Sequence, residues 1–419
     1  MQGAKIANGV KIVILTLCLG AVVGIVLWLF LAVVSLGTSF VWGFIPRKLG
    51  FNWIMVPLCA AGGCVAGLIR KKYGDYPEDL KTVMVKVKRS KHYDYSKMLV
   101  ILVCALLPLI LGASVGPEAG LTGIIAALCY WVGDNVTFAK QNTALYSQLG
   151  EAVTMGQIFH SPLFGIISVE EEPGEAGKAP ALPKLLKQVL YGLAAVAGLI
   201  VIAGLSRLFH TSLEGFPRFS SVSIHAADYA LAIPYIFLGL VLCYIFEKAE
   251  KYIGFAAVRV PAVLRETLCG AVIGAVGVIV PLAIFSGEEH LAELMGTFGD
   301  YTPWMLIGIC LLKLIMTAFC LRFGLKGGHF FPLIFACACM GFGIALLIFP
   351  EVGDHVVFAA CVITSATLGA QLKNPMAVTF LMLLCFPLRL IIWVFLSASI
   401  SALVFDYFEK KKTAEAENK

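Results

Sequence analysis

The feature that most constrains this chain is a succession of apolar segments with almost no soluble sequence between them. They fall near residues 10–36, 52–70, 98–112, 119–135, 145–168, 186–207, 227–246, 264–285, 304–321, 329–349, 355–372 and 376–405. Of 419 residues, 59% are hydrophobic and 14% charged, against roughly 25% charged in soluble domains. Such a chain has too little polar surface to face water all round, so the bilayer is its solvent. Spanning backbone must satisfy its own hydrogen bonds, which leaves helices or a closed barrel. Gly and Pro recur inside the apolar runs and strict apolar–polar alternation is missing. The expectation is an all-α, polytopic membrane protein.

Charge orients it. The excess of basic residues gathers at Arg70, Lys71 and Lys72, from Lys81 to Lys91, and at Lys410, Lys411 and Lys412. Basic loops stay on the cytoplasmic side. This places both termini and the 70–91 loop inside, and the acidic stretch from Ser286 to Asp300 outside, in a cell (inner) membrane. The basic residues sit in short loops between apolar runs, which argues against nucleic acid as a partner. The thirteen Cys lie mostly within apolar runs and show no C-x-x-C pair. They read as small buried hydrophobes, with no metal or other cofactor expected. The run from Val10 to Leu36 is too long for a signal-peptide core and reads as a retained helix.

Several apolar segments are shorter than a full span of about 20 residues, and several are interrupted by Gly or Pro. Short, broken helices at matching positions in two halves mark inverted-repeat transporters with a midplane site. Here Gly112-Ala-Ser-Val-Gly-Pro-Glu-Ala-Gly120 opens an apolar helix, and a break at His160-Ser161-Pro162 follows. Gly324-Leu-Lys-Gly-Gly-His-Phe-Phe-Pro332 opens another, and a break at Lys373-Asn374-Pro375 follows. Glu118 to Pro162 is 162 − 118 = 44 positions, and Phe330 to Pro375 is 375 − 330 = 45. The organisation expected is a first membrane half over 1–172, a linker over 173–185, a second half over 186–408 and a short cytoplasmic tail over 409–419.

The two Gly-rich openings carry the chemistry. Helix N-termini present N–H groups and partial positive charge, so they attract anions without a full cation. Ions held by amides also leave easily, as transport requires. Pro117 suits the first turn, and Gly116 and Gly120 permit close backbone approach. Glu118 is a carboxylate between apolar runs, expensive there and therefore a functional candidate. Ionised, it can occupy the anion's place; protonated or displaced, it vacates it. A plain Gly/Pro helix cap is the competing reading. For His329 and His160 the competing readings are a hydrogen-bonded structural residue and a pH-sensitive charge near the path.

Gly116-Pro117-Glu118-Ala119-Gly120 is similar to the motif G-[KR]-E-G-P of the chloride channel/transporter (CLC) family. Gly328-His329-Phe330-Phe331-Pro332 resembles its G-x-F-x-P. Phe159-His-Ser-Pro-Leu-Phe-Gly-Ile-Ile-Ser-Val-Glu-Glu-Glu172 resembles its F-N-x-P-L-x-G-x-x-F-x-x-E-E. Gly74-Asp-Tyr-Pro77 stands where G-S-G-I-P is expected. The resemblance implies an inverted repeat of short, broken and tilted helices, and a homodimer with one pathway per subunit. It implies that Glu118 is the gate, that Glu172 beside Glu171 transfers protons on the inner side, and that Gly74, Gly116, Pro117, Ala119, Gly328, His329, Phe330 and Phe331 surround the anion. The chain departs from the family at four places: Gly74 replaces the site Ser, Pro117 replaces the basic residue, no Tyr stands where the family's site Tyr is found, and His329 takes an apolar position of G-x-F-x-P.

The function expected is transport of chloride or another halide, as a proton-coupled antiporter. The alternatives are a passive anion channel, a fluoride exporter and, remotely, an intramembrane serine hydrolase. The last rests on Gly112-Ala-Ser114-Val-Gly116, which satisfies G-x-S-x-G with His160 or His329 as base, but that motif needs a preceding strand.

Overall fold

A computed structural model describes residues 2–78, 94–135, 143–158, 161–168, 183–211, 217–219, 222–349, 351 and 353–417. The helices among them are α1 Gln2–Thr38, α2 Ile45–Leu49, α3 Met55–Tyr73, α4 Met98–Ile110, α5 Glu118–Asn135, α6 Thr143–Ile158, α7 Pro162–Ser168, α8 Lys184–Leu208, α9 Ala226–Val258, α10 Ala262–Ile279, α11 Glu288–Thr297, α12 Pro303–Phe323, α13 Phe330–Ile348, α14 His355–Leu372, α15 Pro375–Met382 and α16 Ile391–Glu417. Nine of these stretches are long and apolar enough to cross a membrane; α4 and α5 are shorter apolar helices. The chain is an all-α polytopic membrane protein, as its apolar pattern requires.

The repeat read from spacing matches the helix starts. Both α5 and α13 begin at the marked residues, Glu118 and Phe330, and both α7 and α15 begin at the marked prolines, Pro162 and Pro375. The local chemistry is shared. Ser161 Oγ accepts from Phe164 N–H at 3.3 Å, and Asn374 Oδ1 accepts from Ala377 N–H at 3.1 Å. Each is a polar N-cap followed by Pro in the first turn, where the missing N–H costs nothing.

The helices form two compact units. One contains residues 1–43, 72–110 and 117–215; the other contains 44–71, 111–116 and 216–419. The units interleave along the chain instead of following a single cut, and most of the expected linker lies outside the described residues. Small residues build both. In the first unit, Gly20 and Gly24 of α1 meet Ala194 and Gly198 of α8 so closely that an added Cβ would lie 2.2 and 2.6 Å from their carbonyl oxygens. In the second, Gly63 of α3 meets Glu266 O, and Gly270 and Gly274 of α10 meet Cys59 O and Met55 O, with the same clearance problem. These are small-xxx-small seams, which let helix backbones approach where lipid supplies no hydrophobic drive. The core of the second unit is α13 with α14, buried along nearly their whole lengths. Outward faces are apolar, as at Ile233 (77% exposed) and Leu403 (73%), which is normal for lipid contact.

Three segments differ in detail from the sequence reading. The 376–405 run is broken into α15 and α16 by residues 383–390, where Pro387 cannot continue a helix. The 286–300 stretch forms a short helix, α11, that buries Leu291 and Leu294. The 409–417 tail continues α16, with Lys410 bridging Asp406 one turn back at 2.7 Å.

Candidate functional site

In the second unit the two Gly-rich openings meet backbone to backbone. Gly116 N–H donates to Gly328 O and Gly328 N–H donates to Gly116 O, both at 2.8 Å. The approach is possible because Gly327 has no side chain: a Cβ there would stand 2.5 Å from Val115 Cγ2 and 2.8 Å from Gly116 O. Glu118 stands two positions after Gly116 in the chain, and Phe330 two positions after Gly328.

This pairing refines the donor set. The N–H groups of Gly116 and Gly328 are spent on each other, and Pro117 has none to give. The amides that precede the first intrahelical bond are the ones positioned by helix geometry to face a ligand. In α13 that first bond runs from Leu333 N–H to His329 O at 3.1 Å, so residues 330 and 331 precede it. In α5 it runs from Leu121 N–H to Pro117 O at 3.0 Å, so residues 118 to 120 precede it.

Glu118 is the first residue of α5 and only 1% exposed. Thr122 Oγ1, one turn on, donates to Glu118 O at 2.7 Å. Pro117, Ala119 and Gly120 are buried with it. At the other opening, Phe330 and Phe331 are buried, and the His329 ring lies 4.6 Å from Phe330 and 5.9 Å from Phe246, centroid to centroid. His329 is walled by aromatic rings. Gly74 ends the turn after α3 with φ +115°, a left-handed conformation that favours Gly, and its carbonyl accepts from Tyr76 N–H at 3.0 Å. Glu171, Glu172 and His160 lie outside the described residues.

The nucleophile-elbow reading does not survive. Ser114 follows the helix α4, not a strand, and its Oγ lies 2.9 Å from Thr317 Oγ1. Thr317 Oγ1 itself donates to Lys313 O at 2.9 Å, so its single proton is used and Ser114 is the donor. That serine is a strut.

The sequence reading gave no site role to four buried charged side chains, which stand at three places. Lys313 in α12 is wholly buried. Arg70 Nη1 donates to Glu266 Oε1 at 2.9 Å and also to Gly324 O, at the left-handed C-cap of α12. Asp228, fully buried, meets His355 Nδ1 at 2.7 Å and accepts from His225 N–H at 2.8 Å. The available signal was a single charge inside an apolar helix, as in Leu311-Leu-Lys-Leu-Ile315, which is by default worth a hypothesis.

Comparisons agree with this architecture. The family described as voltage gated chloride channel matches residues 62–406. A putative ion-transport protein YfeO of Salmonella schwarzengrund (strain CVM19633) is 25% identical over 373 residues, covering 85% of this chain and 84% of the relative. The YfeO protein of Salmonella typhimurium is 24% identical over 376 residues, with the same coverage. Among solved structures, a slow cyanobacterial Cl−/H+ antiporter superposes with TM-score 0.76 at 15% identity, covering 98% of this chain and 99% of the other. A CLC-type fluoride/proton antiporter superposes with TM-score 0.71 at 16% identity, covering 94% and 95%.

Proposed function

Because the chain belongs to the voltage-gated chloride channel family, we propose that it carries a small anion, chloride or another halide, across a cell membrane in exchange for protons. The observation that carries this reading is Glu118, a buried carboxylate on the first residue of a helix that opens from the Gly116–Gly328 pair. A helix start attracts negative charge. Glu118 is a tethered anion at one such start, so it competes with a free anion for the same field. Protonation removes its charge and its claim on the site. One side chain then couples proton arrival to anion entry.

Exchange also needs a proton route from the inner side, because Glu118 alone cannot reach across the protein. Glu172, with Glu171 beside it, is proposed for that role on the resemblance of its segment. The structural relatives are named as chloride/proton and fluoride/proton antiporters, which supports exchange over passive flow and leaves both ions in the test. Replacement of the family's site Ser by Gly74 favours a looser site, the feature a passive channel would share. The amides of residues 330 and 331, with the His329 and Phe330 rings, are the proposed anion contacts. A homodimer in the inner membrane with cytoplasmic termini completes the proposal.

The test is flux in proteoliposomes, with a panel of halides, with and without a proton gradient. Glu118→Gln mimics the protonated carboxyl. It should leave anion flux running, abolish proton coupling and flatten the pH profile. Retained wild-type pH dependence in that variant removes Glu118 from the gate. Burial first, and then the charge of Lys313, push the His290 imidazole down to about 4, so that ring stays neutral above this pH and supplies no competing titration near neutrality.

A further inference from the structure

Lys313 sits within the candidate span Pro303–Phe323 and is fully buried. An ammonium in such a place normally finds a carboxylate or loses its proton. Here both hydrogen bonds of Nζ go to backbone carbonyls, Ile284 O at 2.7 Å and Phe285 O at 2.6 Å, and Nζ stands 5.2 Å from the centroid of the Phe335 ring. The carbonyls belong to the turn between α10 and α11. That turn is strained: Phe285 has φ +60°, which a non-Gly residue seldom adopts.

The turn is tied onward. Phe285 N–H donates to Gly112 O at 3.0 Å. One helical turn beyond Lys313, Thr317 Oγ1 accepts from Ser114 Oγ and donates to Lys313 O. Lys313 and Thr317 therefore hold the 111–116 segment at Gly112 through the turn and at Ser114 directly. The far end of that segment is Gly116, paired with Gly328 at the start of α13.

We propose that Lys313 is a positioning residue for the anion site. Its Nζ fixes the 284–285 turn through the two carbonyls, the turn and Thr317 fix the 111–116 segment, and that segment sets Gly116 against Gly328 at the start of α13. Among the described residues its hydrogen bonds go to no carboxylate, so when protonated it leaves positive charge in the unit that presents residues 330 and 331 to the anion. The titratable groups whose fields reach it are Glu288 and His290 from α11, Cys339 from α13 and Cys320 on its own helix. The assignment rests on the anion site proposed above.

The experiment uses the full-length purified protein as wild type, Lys313→Met and Lys313→Arg. Chloride and fluoride binding are measured by calorimetry, and apparent KM and maximal rate by proteoliposome flux. Loss of two charge-assisted bonds should weaken anion Kd in Lys313→Met by about tenfold or more, with KM rising in step, while Lys313→Arg stays within about threefold. Should Lys313→Met fail to fold, Thr317→Val removes the second strut and should weaken Kd several-fold while the protein remains monodisperse. Wild-type affinity in Lys313→Met, or in a folded Thr317→Val when the Met variant is lost, overturns the assignment. So does an Arg variant as weak as Met. A wild type that binds neither ion overturns the proposed anion site itself.

Discussion

The two approach segments of the second unit, 112–116 and 324–328, share a backbone plan and differ in what braces it. Each begins with a left-handed glycine, Gly112 at φ +81° and Gly324 at φ +104°. Each reaches its paired glycine four residues later, since 116 − 112 and 328 − 324 are both 4. Each is fastened near its start by a buried cation. At 324 the cation is Arg70, which has a carboxylate partner, Glu266, and binds Gly324 O directly. At 112 the cation is Lys313, which donates to the carbonyls of Ile284 and Phe285, the turn whose Phe285 N–H donates to Gly112 O. The side chains at the ends diverge too: a carboxylate, Glu118, follows one segment, and an aromatic, Phe330, follows the other. The two segments thus share a backbone frame and lead into different chemistry, a buried carboxylate in one and a buried aromatic in the other. A repeat read through helix starts and glycines survives side-chain divergence that would hide it from residue matching.

The sharpest way to break this comparison is at the 324 end. Arg70→Met leaves Glu266 in a nearly water-free place with its cation gone, which should destabilise the fold by about 3–5 kcal/mol. Arg70→Met with Glu266→Leu removes both charges and should recover part of that loss. Thermal denaturation in detergent reads the difference. A double variant no more stable than the single would mean that the ion pair is not what fastens Gly324.

At the junction of the two segments the expected effect is smaller for stability and larger for transport than its size implies. Gly327→Ala places a methyl 2.5 Å from Val115 Cγ2 and 2.8 Å from Gly116 O. One of the two backbones must move, and the Gly116–Gly328 bonds lengthen or break. Overpacking of this kind costs about 1–3 kcal/mol. Because Gly328 leads directly into α13 and residues 330 and 331, halide flux should fall by about tenfold or more, as misplacement near 1 Å can do. Gly204→Ala meets nothing within 4 Å and serves as the neutral control. Equal flux in the two variants would show that the pair does not set the site.

Much of this was legible in the sequence because the relevant physics is local. Apolar length gives spans, and the Gly-Pro and x-Pro breaks give helix starts at 118, 162, 330 and 375. That Glu118 is a buried carboxylate at a helix start was legible from its place between apolar runs after Gly-Pro. What stayed hidden is what arises from distant pairing. Gly116 and Gly328 are 212 positions apart, 328 − 116, and nothing near either announces that each consumes the other's N–H. Ser114 was read as a possible nucleophile because its partner, Thr317, lies on a helix far along the chain. Arg70 looked like one of three basic residues at a loop edge, yet it is buried against Glu266 while Lys71 and Lys72 are exposed. Charge counting cannot separate a topology signal from a buried pair.

The mildest test asks whether the repeat extends past the paired openings to the second break in each half. Ser161 caps α7 through Oγ, and Asn374 caps α15 through Oδ1, each just before a first-turn Pro. If the two breaks are equivalent, the caps should be worth the same. Ser161→Ala and Asn374→Ala each remove one acceptor for a first-turn N–H, at a cost of about 1 kcal/mol. Their side-chain reach differs, 3.3 Å for Ser161 against 3.1 Å for Asn374, while both main-chain oxygens accept one turn on, Ser161 O from Gly165 N–H and Asn374 O from Val378 N–H, each at 3.1 Å. The backbone bond survives either substitution, so only the side-chain term is lost. Asn374→Ala should therefore match or slightly exceed Ser161→Ala, each lowering the melting temperature by about 2 °C, with halide KM unchanged because neither cap belongs to the helix starts at residues 118–120 and 330–331. Restoration by Ser161→Asn and by Asn374→Ser would confirm that the caps are interchangeable. A loss confined to one half would limit the repeat to the openings and leave the two breaks as separate solutions to ending a helix before proline.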